Sequence, residues 1–303
     1  MTIRDIGDAG KIALLALIAW CLPPRFWRSA ARATSCIGKD DRAGPSYQKN
    51  LAPGLSGLEI NAIRYRHRAY LRELKFQVLG LTGPWRSWHP DIRLTGINHL
   101  QAALDEGRGA ILWVTETAFS TLAAKMAIHS AGYRAYQLTR PEHGFSPSSF
   151  GIRFLNPIWT SVEDRFIAER VVINGEVAAE ALAVLRARIA LNKIVIITVS
   201  PHAHNIIRVP FLRTRLPLPT GPIRLARATG AALLPVFTVA KDNGEFEVSI
   251  DAPLFPANAP SDDRDIAAAY AKQLEPWVLK YPDQWNGWPW LHDDELQARN
   301  VPG

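Results

Sequence analysis

Gly109-Ala-Ile-Leu-Trp-Val-Thr-Glu-Thr-Ala-Phe-Ser-Thr121 is the stretch that decides the fold. Its first seven residues are a short apolar run without polar alternation, which is how a strand buried on both faces reads. From Phe119 to Ala131 the spacing becomes that of a helix, and Gly132 ends it. A second buried run, Lys193-Ile-Val-Ile-Ile-Thr-Val199, follows a long Ala/Leu/Val helix over Glu176 to Leu191. Outward from these, strands read at Ile92 to Gly96, Tyr133 to Leu138, Ala232 to Val239 and Glu245 to Ile250. Helices read at Asn98 to Glu106, Pro222 to Thr229 and Asp265 to Lys280. Strands that alternate with helices predict an α/β fold, a mostly parallel sheet with helices on both faces. Such sheets bind ligands at the carboxyl ends of their strands, so the residues after Thr115 and after Val199 are the first places to look for chemistry.

The chain has 303 residues, of which 48% are hydrophobic and 21% charged, enough for a sizeable core and unlike a disordered chain. Its net charge of +7 admits anionic lipid, nucleic acid or acidic small molecules as partners without choosing among them. The basic residues are scattered and no recognition module is visible, so no nucleic acid is expected. Cys21 and Cys36 both fall in the N-terminal segment and cannot staple the main body. No Cys/His cluster has zinc spacing, so no structural metal is expected.

Residues 1–37 form an N-terminal segment around the apolar run Ile12 to Leu22, which is about half of what crossing a bilayer requires. A cleaved leader, a helix of the core and an in-plane membrane anchor all fit that run. Trp20, Phe26, Trp27, Lys11, Arg25, Arg28 and Arg32 favour the anchor. Residues 38–57 read as a linker rich in Gly, Pro and Ser, 58–295 as the main α/β domain, and 296–303 as a tail. Between Leu58 and Leu79 a helix is expected, with Leu58, Ala62, Tyr65, Ala69 and Phe76 on one face. The arginines Arg64, Arg66, Arg68 and Arg72 read as a solvated face of it.

Three blocks carry a resemblance to a known family. They are Ile92 to Leu112, Val209-Pro-Phe-Leu with Pro219 to Phe237, and Tyr281-Pro-Asp-Gln-Trp285 with Trp290-Leu-His292, the last with extra residues inserted. Together they resemble the lipid A biosynthesis acyltransferases, within the wider lysophospholipid acyltransferase group. The resemblance implies acyl transfer from a thioester, such as that of acyl carrier protein or coenzyme A, to an acceptor hydroxyl, with no resident cofactor. A lipid or small-molecule acceptor, a membrane surface and a place at the cytoplasmic face of the inner membrane are also implied, though a soluble cytoplasmic form fits too. The family's motif is His, four residues, then Glu or Asp. The imidazole serves as base and the carboxylate orients it.

Here the motif departs. The resemblance sets Glu116 in the histidine position and Thr121 in the carboxylate position. A glutamate's ordinary pKa lies about two units below histidine's, so it is a weak base unless burial raises it. After the second buried strand, Ser200-Pro-His-Ala-His-Asn205 puts His202 near the family's acidic turn, with His204 beside it. A relocated pair of Glu116 with His202 or His204 is therefore expected to supply base and orienter. Arg140, Arg153 and Arg170 are candidate clamps for an anionic substrate group, and Thr220 with Gly221 begins a helix that could bind an anion or simply be capped. Trp285, Trp288 and Trp290 could line an acyl groove or close the core, and His129 reads as packed. Two classes remain open: an acyltransferase whose acceptor, a hydroxyl or an amine, is not standard lipid A, and a catalytically degenerate protein that binds a lipid or a partner.

Overall fold

The computed structural model describes residues 3–35, 56–174, 178–201, 203, 205–255 and 262–291. All but the last two residues of the expected linker, and the whole expected tail, lie outside them.

Nine strands are described: β1 Ile92–Thr95, β2 Ala110–Val114, β3 Ala135–Thr139, β4 Glu169–Val172, β5 Ile194–Thr198, β6 Ile206–Phe211, β7 Thr214–Pro219, β8 Ala232–Ala240 and β9 Phe246–Ile250. Seven of them form one sheet in the order β1-β9-β8-β2-β5-β3-β4, and β6 with β7 forms a separate hairpin. Every pairing in the large sheet is parallel except β8 with β9. The expected architecture is therefore the one found, with β2 at the centre.

Period-two alternation explains how β2 is covered. Ile111 and Trp113 face one side, in a cluster with Leu185 and Ile189 of α7 (Ala178–Ala190), Ile223 of α8 (Gly221–Thr229) and Tyr270 and Leu274 of α9 (Asp263–Lys280). Ala110, Leu112 and Val114 face the other, with Leu100 and Ala103 of α4 (Ile97–Asp105) and Ala124, Ala127 and Ile128 of α5 (Ser120–Ser130). Both faces being dry, β2 has no polar position until the chain leaves the sheet at Thr115.

Some elements carried no sequence signal. β4 is a four-residue edge strand, Glu-Arg-Val-Val, too short to show a period. The hairpin contains Pro210, Pro217 and Pro219, which argue against a strand by sequence and are tolerated here because only two strands pair. A π-helix over Gly151–Leu155 and α6 (Asn156–Glu163) follow β3.

The N-terminal helices pack on α3 (Gly57–Leu81). α3 buries Ile60, Ile63, Tyr70, Leu74, Phe76, Val78 and Leu79, while Leu58 is 83% exposed and Tyr65 is also exposed. The expected face was thus misphased by about half a turn, because the first turns of this helix are apolar on both sides. α1 (Ile3–Cys21) sends Leu15 and Ala19 inward against Phe76 and Leu79. Trp27, which opens α2 (Trp27–Thr34), sits over Gly80, where an added Cβ would lie 2.2 Å from the indole. Arg28 pairs with the buried Glu73 at 3.0 Å. The opposite side of α1 stays apolar and open, with Leu14 59% and Leu17 57% exposed. Among the described residues no helix is long and apolar enough to cross a membrane.

Candidate active site

The chain leaves β2 at Thr115 and reaches α5 through Glu116-Thr-Ala-Phe119. Ser120 closes this turn: its hydroxyl donates to the Thr117 carbonyl at 3.0 Å and accepts from the Thr117 N–H at 3.2 Å. The Thr117 hydroxyl donates to the Thr238 carbonyl of β8 at 2.6 Å. The segment 281–288 then straps the turn from outside. The Ala118 N–H donates to the Gln284 carbonyl at 2.8 Å, and the Asn286 N–H donates to the Glu116 carbonyl at 2.9 Å. Gln284 anchors the strap by exchanging two 2.7 Å bonds with the Ala240 backbone. Asp283 is held by Arg66 and, through its carbonyl, by His67 of α3. Gly287 lets the chain fold beside Trp285, because an added Cβ would meet that indole at 2.2 Å. Glu116 is thus fixed in place by four segments of the chain.

Glu116 is half-buried as a residue, which leaves it reachable. Enough protein still surrounds its carboxyl that burial pushes it up to about 7, against one opposing hydrogen bond from the Asn286 side chain. Surface exposure governs access here, whereas the density of surrounding protein governs proton affinity. Burial brings the carboxylate to roughly the basicity of the imidazole that the family carries at this position. Several buried polar atoms lack a partner among the described residues, including Asn286 Oδ1 and Thr121 Oγ1.

The other expected site residues fall into different settings. Thr121 lies in the first turn of α5. His202 and His204 lie outside the described residues, in the loop that follows β5, the neighbour of β2. Arg140 is exposed immediately after β3. Arg153 is exposed on the π-helix, 5.3 Å over the Phe154 ring. Arg170, expected to grip substrate, instead spends its guanidinium on Glu163 at 3.0 Å and Asp164 at 2.7 Å. Thr220 does not cap α8; its backbone N–H donates to the Asn205 carbonyl at 3.0 Å. Gly221 opens that helix, exposed. Trp285 and Trp288 are buried edge to face at 5.1 Å and close the core, while Trp290 is half-buried beside them. His129 packs edge-on against Phe166 at 5.6 Å, as expected.

Sequence reasoning missed two features. One is Asn286, whose only signal was the insertion in the block from Tyr281 to His292. The other is an interior hub around Glu163, which is 0% exposed. Its Oε2 lies 2.8 Å from Lys125 Nζ, 2.9 Å from His143 Nε2 and 3.0 Å from Arg170, and its Oε1 accepts from the Trp159 indole at 2.9 Å. Burial alone would raise this carboxyl, but Lys125, His143 and Arg170 outweigh it and hold Glu163 well below the usual carboxylate range. Lys125 is close to Glu163 without being aligned as a hydrogen bond. It shares the carboxylate with Arg170, and burial pushes it down to about 8 despite Glu163.

A cavity of about 330 Å³ lies between β1 and α5, lined by Ile92, Leu94, Met126 and Ala127 among others, and Glu116 is not part of its lining. A space of about 10 Å³ lies between Thr117, Trp277 and Trp285, too small to hold more than a water.

A strapped carboxylate of neutral basicity at the carboxyl end of a central strand defines a class: an α/β protein with a proton-transfer site at its sheet edge. The family then follows from comparison with known proteins. The family model described as bacterial lipid A biosynthesis acyltransferase matches residues 84–294, and the chain belongs to that family. It is an acyltransferase by class. Among solved structures, the 1-acyl-sn-glycerophosphate (LPA) acyltransferase PlsC from Thermotoga maritima is similar at 13% identity and a TM-score of 0.38, over 92% of this chain and 98% of that one. No curated protein matches the chain.

Proposed function

We propose that this acyltransferase moves an acyl group from a thioester donor to an acceptor other than standard lipid A, with Glu116 taking the acceptor's proton. The donor would be acyl carrier protein or coenzyme A carrying the acyl chain, and no resident cofactor takes part. The observation that carries this reading is Glu116 itself: it stands at the motif position, is fixed by the strap, and has a carboxyl pushed up to about 7. A base works best when its pKa lies near the working pH. His202 or His204 is proposed as the imidazole that orients the carboxylate, from the loop following the strand paired with β2. Arg140 and Arg153, both exposed on the segments after β3, are proposed to hold an anionic group of donor or acceptor, with Thr220 and Gly221 at the start of α8 as a further anion contact.

Membrane contact would come through the open side of α1. Ile6, Leu14, Leu17 and Phe26 are exposed there, with Lys11 and Arg25 beside them, a pattern suited to lying in the interface of an anionic bilayer. That places the protein at the cytoplasmic face of the inner membrane.

A second reading, a binding protein without turnover, is favoured by the closed space beneath Thr117. An acyl-transfer assay separates the two. Purified protein is given acyl carrier protein and coenzyme A thioesters with a pool of membrane lipids, and wild type is compared with Glu116→Ala, His202→Ala and His204→Ala. Turnover lost in Glu116→Ala and in one histidine variant, with folding intact, supports the relocated pair. Turnover indifferent to Glu116 places the base elsewhere. Lipid that co-purifies without turnover under any donor supports the binding protein.

A further inference from the structure

We propose that the acceptor at Glu116 is an amine, bound as its ammonium, with Glu116 as both counter-ion and first proton acceptor. This rests on the acyl-transfer reading above and narrows its acceptor.

Interior acids elsewhere in the molecule have a cation built against them. Glu73 has Arg28, Glu163 has Lys125 and Arg170, and Asp283 has Arg66. Glu116 has the Asn286 amide and, among the described residues, no cation. The titratable groups on neighbouring elements are engaged elsewhere: Asp283 with Arg66, Tyr281 with Lys241, and Tyr270 with Thr115. An enclosed carboxylate without a counter-ion either takes up a proton or takes up a cation. Partial exposure leaves a way in for that cation.

Charge conservation points the same way. In the family's arrangement a neutral imidazole faces a neutral hydroxyl, and the pair stays neutral overall as the proton moves. A carboxylate facing a hydroxyl would carry one negative charge throughout, and proton transfer would only move it onto the acceptor oxygen. A carboxylate facing an ammonium restores a neutral pair before and after transfer. Burial disfavours both charged forms, raising the carboxyl and lowering the ammonium, so their proton affinities converge.

The steps balance. The ammonium gives one proton to Glu116 and becomes a free amine. Its nitrogen attacks the thioester carbonyl carbon, a C–N bond forms and the C–S bond breaks. The leaving thiolate takes a second proton from the new nitrogen, giving an amide and a thiol. Glu116 then releases its proton to water.

The test presents the full chain with dodecanoyl-coenzyme A or dodecanoyl acyl carrier protein and either octylamine or octan-1-ol, with enzyme-free blanks to subtract spontaneous aminolysis. Wild type is expected to form the amide and not the ester. Glu116→Gln, checked for folding by its melting curve, is expected to fall to the blank and to bind octylammonium at least about tenfold more weakly by calorimetry, as loss of an enclosed charge partner does. Glu116→His is expected to turn preference toward octanol. Ester formed in preference to amide, or octylammonium binding unchanged in Glu116→Gln, overturns the proposal. If no pairing gives transfer, the acyl-transfer reading fails, and the ammonium site stands or falls by the binding measurement alone.

Discussion

Glu116 and Glu163 are both glutamates enclosed by protein, and the protein treats them in opposite ways. Glu163 is ringed by an ammonium, a guanidinium, an imidazole and an indole, and is held ionised. Glu116 meets one amide and is pushed up to about 7. The first arrangement leaves nothing for a substrate to do: α5, α6, the loop after β3 and the start of β4 meet on one carboxylate. The second leaves a proton and a charge unsettled near neutral pH, which is the condition for proton-transfer chemistry. A buried acid is thus informative only together with what surrounds it.

That comparison can be broken most directly at Glu163. Glu163→Gln leaves Lys125 and Arg170 enclosed opposite a neutral amide, and unfolding in urea should show a loss of about 3–5 kcal/mol. A loss near zero would mean the hub has no structural role. Glu116→Gln should do the reverse, and only above neutrality. A carboxyl raised from 4.5 to about 7 on folding binds its proton more tightly in the native state, so native stability falls as pH rises through that window. The variant should therefore melt higher than wild type at about pH 8, by on the order of 2 kcal/mol, and equally at about pH 5. Equal melting at both would place Glu116 in water-like surroundings.

A finer probe is Asn286→Ala. The amide lowers the Glu116 carboxyl, so its removal should move the rising limb of kcat/KM to higher pH, by up to about one unit. A limb that stays in place would show that Asn286 only pins the strap through its backbone. Smallest of all is Arg224→Ala. Its partner Asp263 keeps Arg227, and the exposed arginine should cost less than about 1 kcal/mol in thermal unfolding.

The sequence by itself determined the framework. Ile111 and Trp113 against Ala110, Leu112 and Val114 read as a strand dry on both faces because side-chain alternation is local, and local period is what a chain displays in one dimension. The same reading set position 116 at the carboxyl end of that strand and, through the family resemblance, in the slot where a base belongs. Phasing failed on α3, where apolar residues on both sides of its first turns gave no single stripe. The hairpin was hidden by its prolines, and β4 by its length.

Only the tertiary structure decided what each charged residue does. Arg170 looked like a substrate clamp and proves to be a strut for Glu163, because its neighbours come from α6 and the loop before it rather than from its own strand. Asn286 looked like an insertion in the C-terminal block and proves to contact Glu116 through both backbone and side chain. The reason is that burial of apolar surface is additive along an element and can be read residue by residue. The fate of a charge depends instead on which opposite charge, amide or water stands within a few ångströms, and those neighbours come from distant parts of the chain.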